Sequence, residues 1–228
     1  MRIITVQPLD VALKIKCSEY YTADFVKVMD TSIAVDGEVN TNWETAYAWM
    51  RGQLTKRVHR APIGVVFPIW GWHTYNGKEV VLPENLIVQE LPPGTEWMEN
   101  YQDESKPFLF AIELEIPDSE VLLSDEVLWH HVLNNFPILP MCDEAGDDLL
   151  AQILANHPDQ KKVDRFVQKT WDWIFEIGKG AEYFAGKTPG EYIQACFWEI
   201  KPEWVRSVRP VPKFPKVKQK GEEECIEH

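Results

Sequence analysis

Residues 107–116, PFLFAIELEI, constrain the fold more than any other part of the sequence. Apolar residues occupy every second position from Phe108 to Ile116, and charged residues stand between them from Ile112 onward. A period of two is the spacing of a β-strand with one buried face and one wet face. A strand of this kind is typical of an antiparallel sheet, because parallel sheets are covered on both sides. Glu113 and Glu115 share the polar face, where they could form an acid pair, and the apolar face carries Phe108, Phe110, Ile112, Leu114 and Ile116.

The other helix and strand patterns follow one another without regular alternation. A doubly wound α/β fold would alternate strands with helices, so this order predicts an α+β fold with a central mixed or antiparallel sheet and packed helices. We expect one domain over residues 1–209, with a surface insertion at about 79–106 and a loosely ordered charged tail at 210–228. The predicted strands are 2–7, 62–73, 107–116, a short strand before Ser124, and 192–200, which 203–209 could continue. The predicted helices are a short one after the first strand, 42–58, one capped by Ser124, 144–156 and 159–177. Asn76-Gly77 is a predicted tight turn.

Charge and composition exclude several classes of protein. The formal net charge is −13, whereas general nucleic-acid binding needs broad neutralisation of phosphates, so we do not expect it. No apolar run approaches about 18 residues, and the N-terminal segment lacks the apolar core of a signal peptide, so we expect a cytoplasmic protein that does not enter the membrane. The four cysteines show no C-x-x-C spacing, which favours free thiols and no metal site. The motifs of P-loop, Rossmann, α/β-hydrolase and zinc-protease proteins are absent.

An aromatic turn is the first candidate for a ligand site. The chain has 10 Trp, and most of them are expected in the core. Trp70 and Trp72 share one side of a strand, with His73 and Tyr75 close by, and such a wall could stack on a base or a nicotinamide ring. The alternative is that one or both Trp belong to the core.

Basic and titratable residues supply the second set of candidates. Arg51, Arg57 and Arg60 lie near the end of the predicted helix 42–58, and Arg binds phosphate in a bidentate manner, although a solvated basic helix end is the alternative. His131 is a candidate acid or base, with a hydrogen-bonded structural histidine as the alternative. A cleft between the helix end, the aromatic turn and the end of the first strand at Gln7 would suit a nucleotide.

The segments described so far resemble the DUF3841 family of bacterial and phage proteins. The resembling stretches are TVQPLDVALKIK, ETAYAWMRGQL, FPIWGWHTYNGK, IELEIPDSEVLLSDEVLWHHVLNN and YIQACFWEIKPEWV. They extend over nearly the whole chain, and the resemblance implies no established chemistry.

A second resemblance concerns the fold. A strand ending in T-x-Q, followed by a helix and a late QACFWEIKPEWV strand, is similar to the layout of ADP-ribosyltransferases. Transferases that act on DNA carry a catalytic glutamate where this chain has Cys196, and the nearest acid is Glu199, which would need a bulge to reach the same side. The resemblance implies NAD or a related nucleotide as ligand. Three functions follow as expectations: a protein that binds or sequesters a nucleotide or NAD-derived ligand, an active ADP-ribosyltransferase, or a module that binds or inhibits another protein.

Overall fold

A main antiparallel sheet with helices packed on it forms the framework of the described residues. The computed structural model describes residues 1–24, 41–80, 109–139, 148, 151–152, 155, 159–178 and 190–210. The strands are β1 (Arg2–Pro8), β2 (Tyr21–Thr22), β3 (Ile69–Tyr75), β4 (Lys78–Glu79), β5 (Leu109–Glu115), β6 (Leu122–Asp125), β7 (Ile193–Phe197), β8 (Glu199–Ile200) and β9 (Val205–Pro210); the helices are α1 (Leu9–Lys16), α2 (Thr41–Arg57), α3 (Glu126–Leu133) and α4 (Gln160–Thr170).

The main sheet has seven strands in the order β6-β7-β3-β1-β5-β9, with β4 attached to β3. All of its pairs are antiparallel, so the α+β prediction is confirmed and the sheet contains no parallel pair in the described ranges. β1 and β5 pair along their full length, from Arg2 opposite Glu115 to Pro8 opposite Leu109. The strand predicted at 107–116 is confirmed over its described part, because Ile112 and Leu114 are fully buried on the apolar face.

Helices cover the two sides of the sheet unequally. On one side α2, α3 and α4 pack over β6, β7 and the start of β3, and α2 buries Ala46, Met50 and Leu54 at helical spacing. On the other side α1 buries Val11 and Ile15 against β1 and β5. Within the part of the chain that the structure describes, no helix is long and apolar enough to cross a bilayer.

The strand predicted at 62–73 begins only at Ile69. The preceding residues form a turn in which the Val65 N–H donates to the Pro62 carbonyl at 3.1 Å. Gly64 occupies the left-handed region at φ 84°, and this conformation ends any extended run. The Asn76-Gly77 turn is confirmed, since φ is 53° and 69° at these residues, as a two-residue hairpin turn requires.

The cap of α3 is Asp125, whereas the sequence indicated Ser124. The Asp125 carboxylate accepts from the Leu128 N–H at 3.1 Å and also from the Gly190 N–H at 3.0 Å. Ser124 lies in β6, fully buried and opposite Gln194. Pairing with β7 therefore extends the strand one residue further and moves the helix start with it.

The late strand is interrupted at Trp198. β7 belongs to the main sheet, whereas β8 pairs with β2 in a separate two-stranded sheet. β9 is a further strand, but it lies at the opposite edge of the main sheet against β5. Residues 148, 151, 152 and 155 are helical, and the rest of the predicted helix 144–156, the predicted insertion beyond Val80 and the predicted tail beyond Pro210 lie outside the described residues.

Candidate functional site

One line of residues crosses the whole main sheet on the side that α2, α3 and α4 only partly cover. Directly paired residues of antiparallel strands point to the same face, so successive pairs define neighbours across the sheet. Ile4 of β1 pairs with Trp72 on one side and with Glu113 on the other. We call the complete line the transverse row: Ser124, Gln194, Trp72, Ile4, Glu113 and Ser207.

A carboxamide and an indole meet at the centre of the transverse row. Gln194 is 7% exposed, and its Nε2 donates to Ser124 Oγ at 3.3 Å. Trp72 is half-buried, and its ring meets Tyr75 edge to face at a centroid distance of 5.2 Å. Tyr75 meets Tyr192 in the same way at 5.1 Å. The register therefore sets the Trp72 indole, packed edge to face with Tyr75, beside a group that can both donate and accept hydrogen bonds.

The far end of the transverse row is charged. Glu113 forms an ion pair with Arg2 and accepts from Ser207 Oγ at 3.0 Å. Glu115 has its own partner, because Arg206 Nη2 lies 2.7 Å from its carboxylate. The two glutamates proposed as an acid pair are therefore each neutralised by a separate guanidinium.

Trp70 and Trp72 lie on the same side of β3, but they pack in different surroundings. Trp70 contacts Trp129 at 4.9 Å and Tyr47 at 6.2 Å between ring centroids, under helices α2 and α3. Burial raises the pKa of the Tyr47 hydroxyl to about 12. Trp70 thus joins the core cluster under α2 and α3, whereas Trp72 and Tyr75 pack against a separate cluster formed by Ile4, Val80 and Ala111.

Gln7 and His73 each have a hydrogen-bond partner in β1. Gln7 Nε2 donates to Thr5 Oγ1 at 2.8 Å, and that hydroxyl donates to the Trp70 carbonyl at 2.7 Å. Thr5 and Gln7 alternate with Ile4 along β1, so they point to the face opposite the transverse row. His73 Nδ1 lies 3.1 Å from the Arg2 carbonyl. Gln7 consequently does not join Trp72 in one cleft.

The arginines in α2 and just after it, Arg51, Arg57 and Arg60, lie on the outside of the helical layer. Arg57 Nη2 is 3.3 Å from Asp172, and its guanidinium lies 4.2 Å from the centre of the Phe175 ring. Arg51 and Arg60 are exposed. Arg57 therefore packs against the 3-10 turn Trp171–Phe175. The sequence did not indicate this contact.

Glu199 belongs to a mixed charged cluster that sequence spacing did not reveal. Lys201 Nζ lies 3.5 Å from both Glu199 and Glu120, and His59 Nε2 lies 3.0 Å from Glu120. The partners come from three distant segments, so no local motif could have found them. Among the described residues, no group of three or more His, Cys, Asp and Glu side chains is arranged to hold a metal ion.

The remaining candidates, His131 and Cys196, lie in surroundings that are typical of residues with a structural role. Burial lowers the pKa of His131, and the neighbouring His130 adds to the lowering, against a hydrogen bond with the Pro137 backbone. Cys196 is fully buried beneath α2, and burial raises the pKa of its thiol well above the usual range. Cys17 and Cys196 are free thiols, as expected, while Cys142 and Cys225 lie outside the described ranges. A glutamate at position 196 would face the core, which contradicts the idea that this position lines a cleft.

Comparison with known proteins gives one match. The profile of the family described as domain of unknown function (DUF3841) matches residues 2–206. No curated protein and no solved structure matches the chain significantly, so the comparisons lend the ADP-ribosyltransferase resemblance no support. Since the family profile spans β1 through the first two residues of β9, and thus every residue of the transverse row except Ser207, the protein belongs to the DUF3841 family.

Proposed function

We propose that the protein binds a nucleotide or NAD-derived ligand on the transverse row. The observation that carries this proposal is the register pair of Trp72 and Gln194, which sets a half-buried indole beside a buried carboxamide. Recognition of a base commonly combines stacking on an aromatic ring with hydrogen bonds to the edge of the base. Stacking on an aromatic side chain is worth roughly 1–3 kcal/mol per base.

The same sheet face also carries cations that suit a phosphate. Arg2 lies two residues from Ile4 on β1, and exposed Arg209 is in register with Ala111 of β5. Adjacent strands are about 4.8 Å apart, so Arg2 lies one strand away from Trp72. A guanidinium binds phosphate oxygens in pairs, and Arg2 is already paired with Glu113, so Arg209 is the partner we assign to the anionic part of the ligand.

Calorimetric titration with NAD and ADP-ribose tests the proposal. We expect Trp72→Ala to weaken binding by about 1–3 kcal/mol, and Trp72→Phe to retain most of the affinity, because a phenyl ring still stacks. Tyr20→Ala is the matched control, since Tyr20 is an exposed aromatic residue directly before β2, outside the row. Equal affinity of the wild type and Trp72→Ala would contradict the proposal.

The same titrations distinguish the two possible places for the anion. If the phosphate binds on the sheet face, Arg209→Ala weakens binding and the double variant Arg57→Ala/Arg60→Ala leaves it unchanged. The opposite result would return the anion site to the end of α2.

Nicotinamide release from NAD, measured in parallel with Glu199→Gln, separates a binding protein from a transferase: release that depends on Glu199 would favour the enzyme.

A further inference from the structure

The Gln194 carboxamide is held in one orientation by the strand beside it. Its Nε2 donates to Ser124 Oγ at 3.3 Å, and Ser124 is directly opposite on β6 and fully buried. A primary carboxamide has two N–H donors and one carbonyl acceptor, so one bond to Ser124 leaves Oε1 and the second N–H for another partner. Trp72 flanks Gln194 on the opposite strand, which places any stacked ring next to these two groups.

Resting on the proposed function, we infer that Gln194 selects ligands whose ring presents a hydrogen-bond donor next to an acceptor. Two parts of NAD have this chemistry, namely the amino edge of adenine and the primary amide of nicotinamide. A glutamine pairs in a bidentate manner with N6 and N7 of adenine. A keto purine or a nicotinic acid carboxylate presents acceptors alone on that edge, and one hydrogen bond to the carboxamide is then lost.

The expected discrimination is measurable. A good bidentate contact separates the matched ligand from its mismatched counterpart by roughly 5- to 150-fold in affinity. The Gln194 side chain is buried. A ligand group of the wrong kind therefore leaves its carboxamide without a hydrogen-bond partner.

Two ligand pairs that differ at a single group test the inference by calorimetry. One pair is adenosine monophosphate and inosine monophosphate; the other is nicotinamide mononucleotide and nicotinic acid mononucleotide. We expect the wild type to prefer the first member of at least one pair by about fivefold or more. The pair that shows the preference identifies which ring occupies the site.

Two variants link the preference to the carboxamide. Gln194→Leu replaces the carboxamide by an apolar branched group one atom shorter and should bind both members of the pair equally. Ser124→Ala keeps Gln194 but removes the acceptor that orients it, so the preference should fall while the fold, checked by circular dichroism, is retained. If Gln194→Leu fails to fold, Ser124→Ala carries the test.

The possible failures are distinguishable. Binding of NAD together with equal affinities within both pairs would overturn the inference and leave the proposed function standing. A preference that survives both Gln194→Leu and Ser124→Ala would also overturn it, because another residue would then read the ligand. Absence of binding for NAD and for all four mononucleotides would overturn the inference and the proposed function together.

Discussion

The sulfur atom of Cys196 lies 3.7 Å from that of Met50, so β7 packs directly against α2 at these two residues. Both residues are fully buried. This contact decides the role of a position that a transferase would give to a catalytic glutamate: in this protein it belongs to the core.

Replacing this thiol by a carboxylate should therefore harm folding and should not create an enzyme. We expect Cys196→Glu to lower the free energy of unfolding by several kcal/mol, because the new carboxylate would be a buried charge without a partner. Cys196→Ala should cost much less, since only one small apolar group is removed. Urea unfolding of both variants, with an assay of nicotinamide release, checks this. A stable Cys196→Glu protein that releases nicotinamide would refute it.

The two strands at the centre of the sheet approach closely at Gly71. A Cβ atom at this position would lie 2.5 Å from Ile3 Cγ2 and 3.0 Å from the Ile4 carbonyl oxygen. We expect Gly71→Ala to destabilise the protein by roughly 1–3 kcal/mol, as overpacking does. Gly52→Ala on α2 is the control, because a Cβ there meets nothing within 4 Å and should stabilise the helix by about 0.5–1 kcal/mol. Chemical unfolding of the two variants should give shifts of opposite sign.

Asp125 and Asp159 both cap helices, but their surroundings differ. Asp125 is 3% exposed and accepts from two N–H groups, whereas exposed Asp159 accepts from the Lys161 N–H alone. We expect Asp125→Ala to cost about 2–4 kcal/mol, because one buried and one partly buried N–H donor lose their partner, and Asp159→Ala about 0.5–1 kcal/mol. Thermal and urea unfolding measure both. Equal losses would show that the bond between Asp125 and Gly190 contributes little.

His131 should make the stability of the protein depend on pH. Its pKa in the folded protein is lowered from 6.5, chiefly by burial, so the unfolded chain binds the proton more readily. Its contribution is present above the unfolded pKa, and it is lost as the pH falls from about 6.5 toward the lower folded value. His131→Gln should therefore lose less stability than the wild type between pH 7.5 and pH 5.5 in urea unfolding. His130→Gln is the matched control, since His130 is exposed and is the smallest of the causes that shift the pKa of His131. Parallel pH profiles for wild type and His131→Gln would exclude this role.

Sequence patterns predicted the local structure well where the cause is local. The alternation in 109–115, the spacing of Ala46, Met50 and Leu54, and the Asn76-Gly77 turn each depend on a few neighbouring residues, and each is confirmed. Boundaries set by pairing were less predictable. Ser124 has the side chain of a good cap, but its place opposite Gln194 keeps it in the sheet.

The sequence by itself determined the α+β class, the family and most of the elements, because apolar periodicity and turn chemistry act over short distances. Only the tertiary structure decided which polar residues are neighbours. Gln194 sits in an apolar strand and carries no motif, yet strand register places it between Ser124 and Trp72. Register also sends Gln7 to the opposite face, while helix packing buries Cys196 and occupies Arg57 with Asp172. Such contacts join residues 65 to 146 positions apart, and a single sequence carries no local signal for them.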